Sequence, residues 1–492
     1  MWGKLLMKSL GKRLQSLVVK SNCTNCGNNQ HKSSDEENCN VCLGESKECK
    51  CVHNTNHNNN NNYNYNNSSN IEGGTNMMME TKNDASDEDD EANSSFTHAV
   101  INMVGMLIGL GQLSTPYAVE QGGWAYSSTL LIGLGVMCTY TSHILGKCLR
   151  SYPTKLRSYA DIGGQAFGSK GRLLVSTFIY MEIFMALISY TISLHDNIVT
   201  VFLGTTLKLH LEKLSTPQLL TIVAVLIALP TMWIRNLSSI SFLSTVGILM
   251  SVVIFVSLAA AAVFGGVLTN HSIPVFQMHN VPSISGLFLF SYGGHIVFPN
   301  LYKAMKDPSK FTKVSIVSFT IVTALYMIIG FLGAKMFGPN VNSQFTLSMP
   351  AKQIITKVAL WATVLTPMTK YALEFAPFAI HLEHKLPSTM SGRTKMVIRG
   401  CAGSIFLLII LALALSVPYF EHVLSLTGSL VSAAVSLILP CAFYLKIFWG
   451  QIAKSHLVLN FFLITLGLFL GVMGTISSSR SLVENFQAHH SN

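Results

Sequence analysis

Gly105-Met-Leu-Ile-Gly109-Leu-Gly111-Gln-Leu-Ser114-Thr115-Pro116 and Phe290-Ser291-Tyr292-Gly293-Gly294-His295-Ile-Val-Phe-Pro299 are the two stretches on which the reading turns. Each lies inside a run of apolar residues long enough to cross a bilayer, about 20 residues at 1.5 Å rise. Each also carries glycines and a proline that weaken helix continuity. Unwound backbone at membrane depth survives only where protein or a cavity satisfies its N–H and C=O groups. Two such stretches in one chain therefore predict two discontinuous helices facing a common site.

Around them the composition is that of a polytopic membrane protein. Of 492 residues, 49% are hydrophobic and 11% charged, against about 25% charged in an ordinary soluble domain. Eleven apolar runs are expected to be helices, at 96–119, 124–147, 173–202, 217–234, 238–265, 284–304, 312–336, 353–379, 397–416, 421–447 and 457–478. The two interrupted runs are the first and the sixth. If spans 1–5 and 6–10 are two copies of one unit, the odd number inverts the second copy. Its broken helix then meets the first near the midplane.

The net charge of +10 does not point to nucleic acid, because the basic residues sit in short connections between the runs. With a cytosolic N-terminus, seventeen Lys and Arg fall in the cytosolic connections and five on the other side, including the C-terminal tail. That asymmetry sets the expected orientation. It places the Asn270-His-Ser sequon on the non-cytosolic side, where glycosylation can reach it.

Residues 1–94 read as a disordered cytosolic tail, 95–478 as the membrane domain, and 479–492 as a lumenal or extracellular tail. The first segment has an Asn-rich run at 54–70 and an acidic run at 87–91, with few large apolar residues to bury. Cys23-x-x-Cys26 and Cys39-x-x-Cys42 have the spacing of a four-thiolate zinc site. Lipidation and no defined role are the alternatives. No other cofactor is expected.

The backbone opened at the two breaks suits a zwitterion. The half-helix beginning near Gln112 aims its positive end at a carboxylate, and carbonyls near Ser291–Gly294 accept from an ammonium. Gly105, Ile108, Gly109, Gly111, Gln112, Ser291, Tyr292, Gly293 and Gly294 are the candidate substrate-binding positions. Tyr190, Thr363 and Thr366 are side-chain candidates. Glycines that serve only close helix packing are the competing reading.

Ionisable residues at mid-depth are costly and point to function. Glu182, about ten residues into the third span, is the first candidate for proton coupling. His295, in the second break, is another. Lys370 has Glu374 four residues later on the same face, a spacing that predicts an ion pair. The ammonium of Lys370 is alternatively a stand-in for a sodium ion.

At these residues the sequence resembles the amino acid/auxin permease family. The likeness is carried by Gly109-Leu-Gly111-Gln-Leu-Ser-Thr-Pro-Tyr-Ala with Gly122-Gly123-Trp124, and by Tyr292-Gly-Gly-His-Ile-Val-Phe-Pro-Asn300 with Met305-Lys-Asp-Pro-Ser-Lys310. Thr366-Pro-Met-Thr-Lys370-Tyr-Ala-Leu and Tyr159-Ala-Asp161-Ile-Gly-Gly-Gln-Ala-Phe-Gly168 extend it. Within that family the chain looks nearest to the plant vacuolar amino acid transporters, related to the vesicular inhibitory amino acid transporter. The resemblance implies an all-α protein of eleven transmembrane helices with a leucine-transporter-type five-plus-five inverted repeat. It also implies proton-coupled transport of neutral amino acids, with membrane lipid, protons and a small amino acid as partners. A membrane sensor signalling occupancy through the cytosolic tail is the second class considered. An enzyme is disfavoured, since no nucleotide loop, zinc-helix motif or serine elbow is found.

Overall fold

The computed structural model describes residues 94–152, 158–202, 215–233, 237–265, 271–387 and 389–491. The four N-terminal cysteines of the zinc motif and the Asn270 sequon lie outside them. Ser86–Asn492 is one compact unit. Within its described residues everything regular is helical, apart from one isolated bridge between Ser94 and Met305.

Helices α1 (Phe96–Leu107) and α2 (Gly111–Gly122) make up the first expected span. They are bent by 59° across a break of three residues. Next come α3 (Trp124–Ser151), α4 (Tyr159–Val201), α5 (Thr216–Ala228, prolonged by a 3-10 stretch to Trp233) and α6 (Leu237–Phe264). The sixth expected span is α7 (Val281–Ser291) and α8 (Phe298–Ala304), with Tyr292–Val297 between them outside any α-helix. The chain continues through α9 (Phe311–Phe337), α10 (Ile354–Lys385), α11 (Gly392–Ser416), α12 (Phe420–Thr427), α13 (Leu439–Ile447) and α14 (Lys454–Ser491). Between α12 and α13 the backbone is π-helical over Gly428–Ser432 and Ala434–Ile438.

Among the described residues, eight helices are long and apolar enough to cross a membrane, and nine if the bent α1–α2 pair counts as one span. Two of the eleven expected spans fall outside that set. The sixth is divided into short pieces by its break, and α10 carries Lys357, Lys370, Glu374 and Glu383. Two further differences concern helix ends. α4 begins fourteen residues before the expected 173, because Ser158 and Asp161 form a capping box that satisfies the first free N–H groups. The chain then turns at Gly168 (φ 69°), a left-handed conformation inside the merged helix that glycine adopts without a Cβ penalty. At the other end, the tail expected from 479 continues α14 as helix to Ser491, with an exposed Arg480–Glu484 pair at 2.7 Å.

Hydroxyls tie α1–α3 and α7–α9 together. Tyr292 donates to the Leu131 carbonyl (3.0 Å) and pairs with Thr323 (2.8 Å). Tyr126 pairs with Ser285 (2.5 Å), and Ser142 with Ser315 (2.7 Å). Both ends of the first span are also laced by backbone to the flanks of the sixth. Ser94 N–H donates to the Ala304 carbonyl (2.9 Å), and Trp124 N–H to the Pro274 carbonyl (2.8 Å). A second group joins α4 to α10 and its preceding loop. Thr191 pairs with Tyr371 (2.9 Å), and Gln344 bonds Ser193, Asn197 and Asp196. In a medium without water such buried hydroxyl pairs hold helices together where apolar contact alone gives no preference.

Candidate functional site

The break in the first span runs over Ile108–Leu110. The α1 helix ends where Ile108 turns extended (φ −82°, ψ 103°). The α2 helix restarts with Gln112 N–H on the Gly109 carbonyl (3.2 Å) and Leu113 N–H on the Leu110 carbonyl (3.0 Å). Thr115 and Ser114 turn their hydroxyls back to the Gly111 carbonyl, at 2.7 and 3.3 Å. Pro116 lies inside α2, where it removes the N–H that would otherwise reach the Gln112 carbonyl and weakens the helix just beyond the break.

The break in the sixth span is held by Gly293 N–H on the Phe290 carbonyl (2.9 Å) and Val297 N–H on the Gly294 carbonyl (3.1 Å). The two breaks touch. A Cβ on Gly111 would stand 2.8 Å from the Cα of Ser291, closer than side chains tolerate, so the contact requires glycine.

Tyr326 of α9 joins them from a third element. Its hydroxyl lies 2.7 Å from the Leu107 carbonyl and 3.1 Å from the Ser291 carbonyl. One proton is thus shared between the last turns of two interrupted helices, where carbonyls lack helical partners. Tyr326 is not among the positions expected from the sequence. The available signal was a tyrosine hydroxyl in the middle of an apolar run, which needs a polar partner when buried.

The other expected residues separate into those at the breaks and those away from them. Tyr190 is at the breaks: it is buried, and its hydroxyl stands 3.5 Å from a Cβ built on Gly109. Glu182 is there also, with Oε1 at 3.3 Å from a Cβ built on Gly293. Gln112 is buried, and its Oε1 has no hydrogen-bond partner. Ile108 offers its carbonyl to Ser251 of α6 (3.4 Å).

Gly105 instead packs directly against the side chain of Ile248 on α6, the close helix approach that small residues allow. Gly294 faces Leu107 and Phe298. Tyr292 is directed to α3 and α9, as described above. His295 is fully buried beside Phe298 (ring centroids 4.7 Å), and its Nε2 pairs with Thr141 of α3 at 2.9 Å. Thr363 and Thr366 turn their hydroxyls to carbonyls of their own helix, Ala359 (2.9 Å) and Ala362 (2.8 Å).

Lys370 approaches α6, its Cε 3.7 Å from a Cβ built on Gly247. The expected ion pair with Glu374 is not formed. The pairs found among the described residues are Arg172–Asp161, Lys310–Asp307, Arg399–Glu383, His422–Glu421 and Arg480–Glu484. Helical spacing placed the two residues on one face without bringing their charged ends into contact.

A separate polar cavity of about 400 Å³ lies away from the breaks, lined by His195, Asp196, Asn342, Ser343, Pro418 and Glu421. Near its rim Asp196 accepts from Gln344 at 2.7 Å.

The signature of transmembrane amino acid transporter proteins matches residues 92–480, which include both breaks, Glu182, Tyr190 and Tyr326. The chain belongs to that family. It is 58% identical over 452 residues to the Arabidopsis thaliana protein named amino acid transporter AVT1H, covering 92% of this chain and 99% of that one. It is 38% identical over 388 residues to amino acid transporter AVT1D of the same plant, covering 78% and 69% of the two chains. Both relatives are named as transporters and neither as an enzyme. Among solved structures, a sodium-coupled sialic acid symporter is similar at 14% identity and TM-score 0.48, covering 79% of this chain and 89% of that one. MhsT in complex with L-phenylalanine is similar at 13% identity and TM-score 0.49, covering 78% of this chain and 97% of that one.

Proposed function

We propose that this member of the amino acid transporter family is a secondary active carrier that moves neutral amino acids across an endomembrane, the vacuolar membrane foremost, in exchange for protons. The observation that carries the reading is the meeting of two broken helices at Gly111 and Ser291, bridged by Tyr326. Such a junction leaves backbone N–H and C=O groups at membrane depth, and these suit the two charged ends of an amino acid. The names of the relatives support the substrate class.

In this reading α1–α3 and α7–α9, laced by their hydroxyls, form the moving bundle. The elements α4, α5, α10 and α11 form the scaffold, and alternating access follows from rocking one against the other. The two halves are then the inverted repeats expected from the sequence, with the N-terminus cytosolic by the distribution of Lys and Arg. Tyr190 closes over the site from the scaffold. Glu182 carries the coupled proton, His295 is the further proton candidate, and Lys370 takes the place of a sodium ion. Protons loaded from an acidic lumen and released to the cytosol drive the substrate the other way.

Flux of a panel of labelled amino acids into vesicles holding the purified chain, with an imposed pH gradient, tests this. Uptake of neutral members that follows the gradient and ignores sodium is expected. Binding without flux in the same vesicles would favour the sensor reading, which the long N-terminal segment makes worth measuring.

A further inference from the structure

Gly293 stands among three oxygens from three elements. A methyl built on it would meet the Phe290 carbonyl at 3.1 Å, Ser432 Oγ at 3.2 Å and Glu182 Oε1 at 3.3 Å. The Phe290 carbonyl already accepts from Gly293 N–H, but a carbonyl has a second lone pair. Ser432 is fully buried and its Oγ has no hydrogen-bond partner, and Glu182 Oε2 is likewise sealed and unpartnered. Unpaired buried oxygens are costly and uncommon enough that each calls for a reason. Here the Ser432 hydroxyl and the Glu182 carboxylate, through its Oε1, border one small space from which a side chain is missing.

Ser432 reaches that space through an irregular stretch of backbone. It ends the π-helical turn Gly428–Ser432, in which Ala433 N–H bonds the Gly428 carbonyl five residues back. Single π turns inside α-helices collect at functional sites, because the extra residue re-aims the side chains that follow. Gly428 allows the approach, since a Cβ there would overlap the backbone of Gly286 on α7.

Three oxygens with few donors among them are complementary to a small cation with several N–H groups. We propose that Glu182, Ser432 and the Phe290 carbonyl form one cation subsite. It holds the substrate ammonium against an ionised Glu182, or leaves Glu182 to carry a proton, and never both. Exchange at a single carboxylate then produces antiport. This rests on the transport reading above and adds Ser432 as a binding residue. In the step itself the Glu182 carboxylic acid gives its proton to water as the ammonium arrives. The carboxylate and ammonium pair, and the reverse occurs on the opposite side. The charged and titratable neighbours that act on Glu182 among the described residues are Glu374 on α10, which itself interacts with Lys370, and Tyr159, whose hydroxyl is fixed on the Val435 carbonyl at 2.6 Å.

The test uses the full chain in liposomes, with L-alanine as the amine probe and L-lactate as its match bearing a hydroxyl in place of the ammonium. Binding of L-alanine should release about one proton per molecule in weakly buffered solution and weaken as pH falls, as linkage requires. Glu182→Gln should abolish both effects. Ser432→Ala should weaken L-alanine about tenfold, the effect of losing one hydrogen bond to a charged group, and Ser432→Thr should restore it. L-Lactate should not compete. Unchanged affinity in Ser432→Ala, equal loss in the alanine and threonine variants, competition by L-lactate, or binding of L-alanine without proton release would each overturn the shared subsite and leave the carrier reading standing. Absence of counterflow for all the standard amino acids in the unsubstituted chain would overturn both.

Discussion

Gly111 at the start of α2 and Ser291 at the end of α7 are in backbone contact, with 2.8 Å between a Cβ built on the glycine and the serine Cα. The contact joins two helix interruptions that are 180 residues apart in the chain. It places the free ends of four half-helices at one junction.

Gly111→Ala should therefore be damaging and Gly109→Ala mild. At Gly111 the added methyl meets backbone, which cannot swing aside, and overpacking of this kind costs about 1–3 kcal/mol. At Gly109 the nearest atom is the Tyr190 hydroxyl at 3.5 Å, an ordinary contact. Thermal unfolding of the two purified variants in detergent separates them, with a lower midpoint expected only for the first. Equal midpoints would mean that the breaks do not touch as described.

Tyr326→Phe removes one hydroxyl and leaves two buried carbonyls, of Leu107 and Ser291, without their shared donor. The expected cost is about 1–3 kcal/mol, read as a lower unfolding midpoint, together with reduced flux. Tyr371→Phe is the fitting control. It loses only the pair with Thr191, whose hydroxyl still has the Leu187 carbonyl at 2.8 Å.

Glu182→Gln keeps the size of the side chain and removes its proton chemistry. Uptake driven by a pH gradient should vanish, and exchange of substrate for substrate should weaken as well, because the amide cannot pair with the ammonium. Proton-driven uptake at the unsubstituted rate would dispose of Glu182 as the coupling group.

Replacing sodium by choline or potassium on both sides of the membrane should leave flux unchanged, since the reading assigns the sodium position to the ammonium of Lys370. Lys370→Ala should lower flux without creating a sodium requirement. A sodium requirement in the unsubstituted chain would count against that assignment.

Glu383→Gln should destabilise the fold by about 3 kcal/mol or more. Arg399 is 4% exposed and pairs with Glu383 at 3.3 Å, and a buried charge stripped of its partner is costly. Chemical or thermal unfolding measures the loss. Arg399→Met with Glu383→Leu together should recover part of it, because the uncompensated Arg399 charge is then gone.

The sequence by itself determined the solvent, most of the helices and the positions of both breaks. These depend on local properties: apolar length against bilayer thickness, and glycines and prolines that fail to continue a helix. Glu182 and Tyr190 were legible for the same reason, as an ionisable group and an aromatic hydroxyl at depth. Only the tertiary structure decided which polar groups face one another. Gly105 packs on Ile248, His295 turns to Thr141, and Thr363 and Thr366 bond their own helix, while Tyr326 and Ser432 arrive at the breaks from distant parts of the chain. A hydroxyl in an apolar run reads the same whether it closes on its own turn or reaches another helix. The choice depends on rotation, register and, at Ser432, a π turn, none of which a string of residues encodes locally.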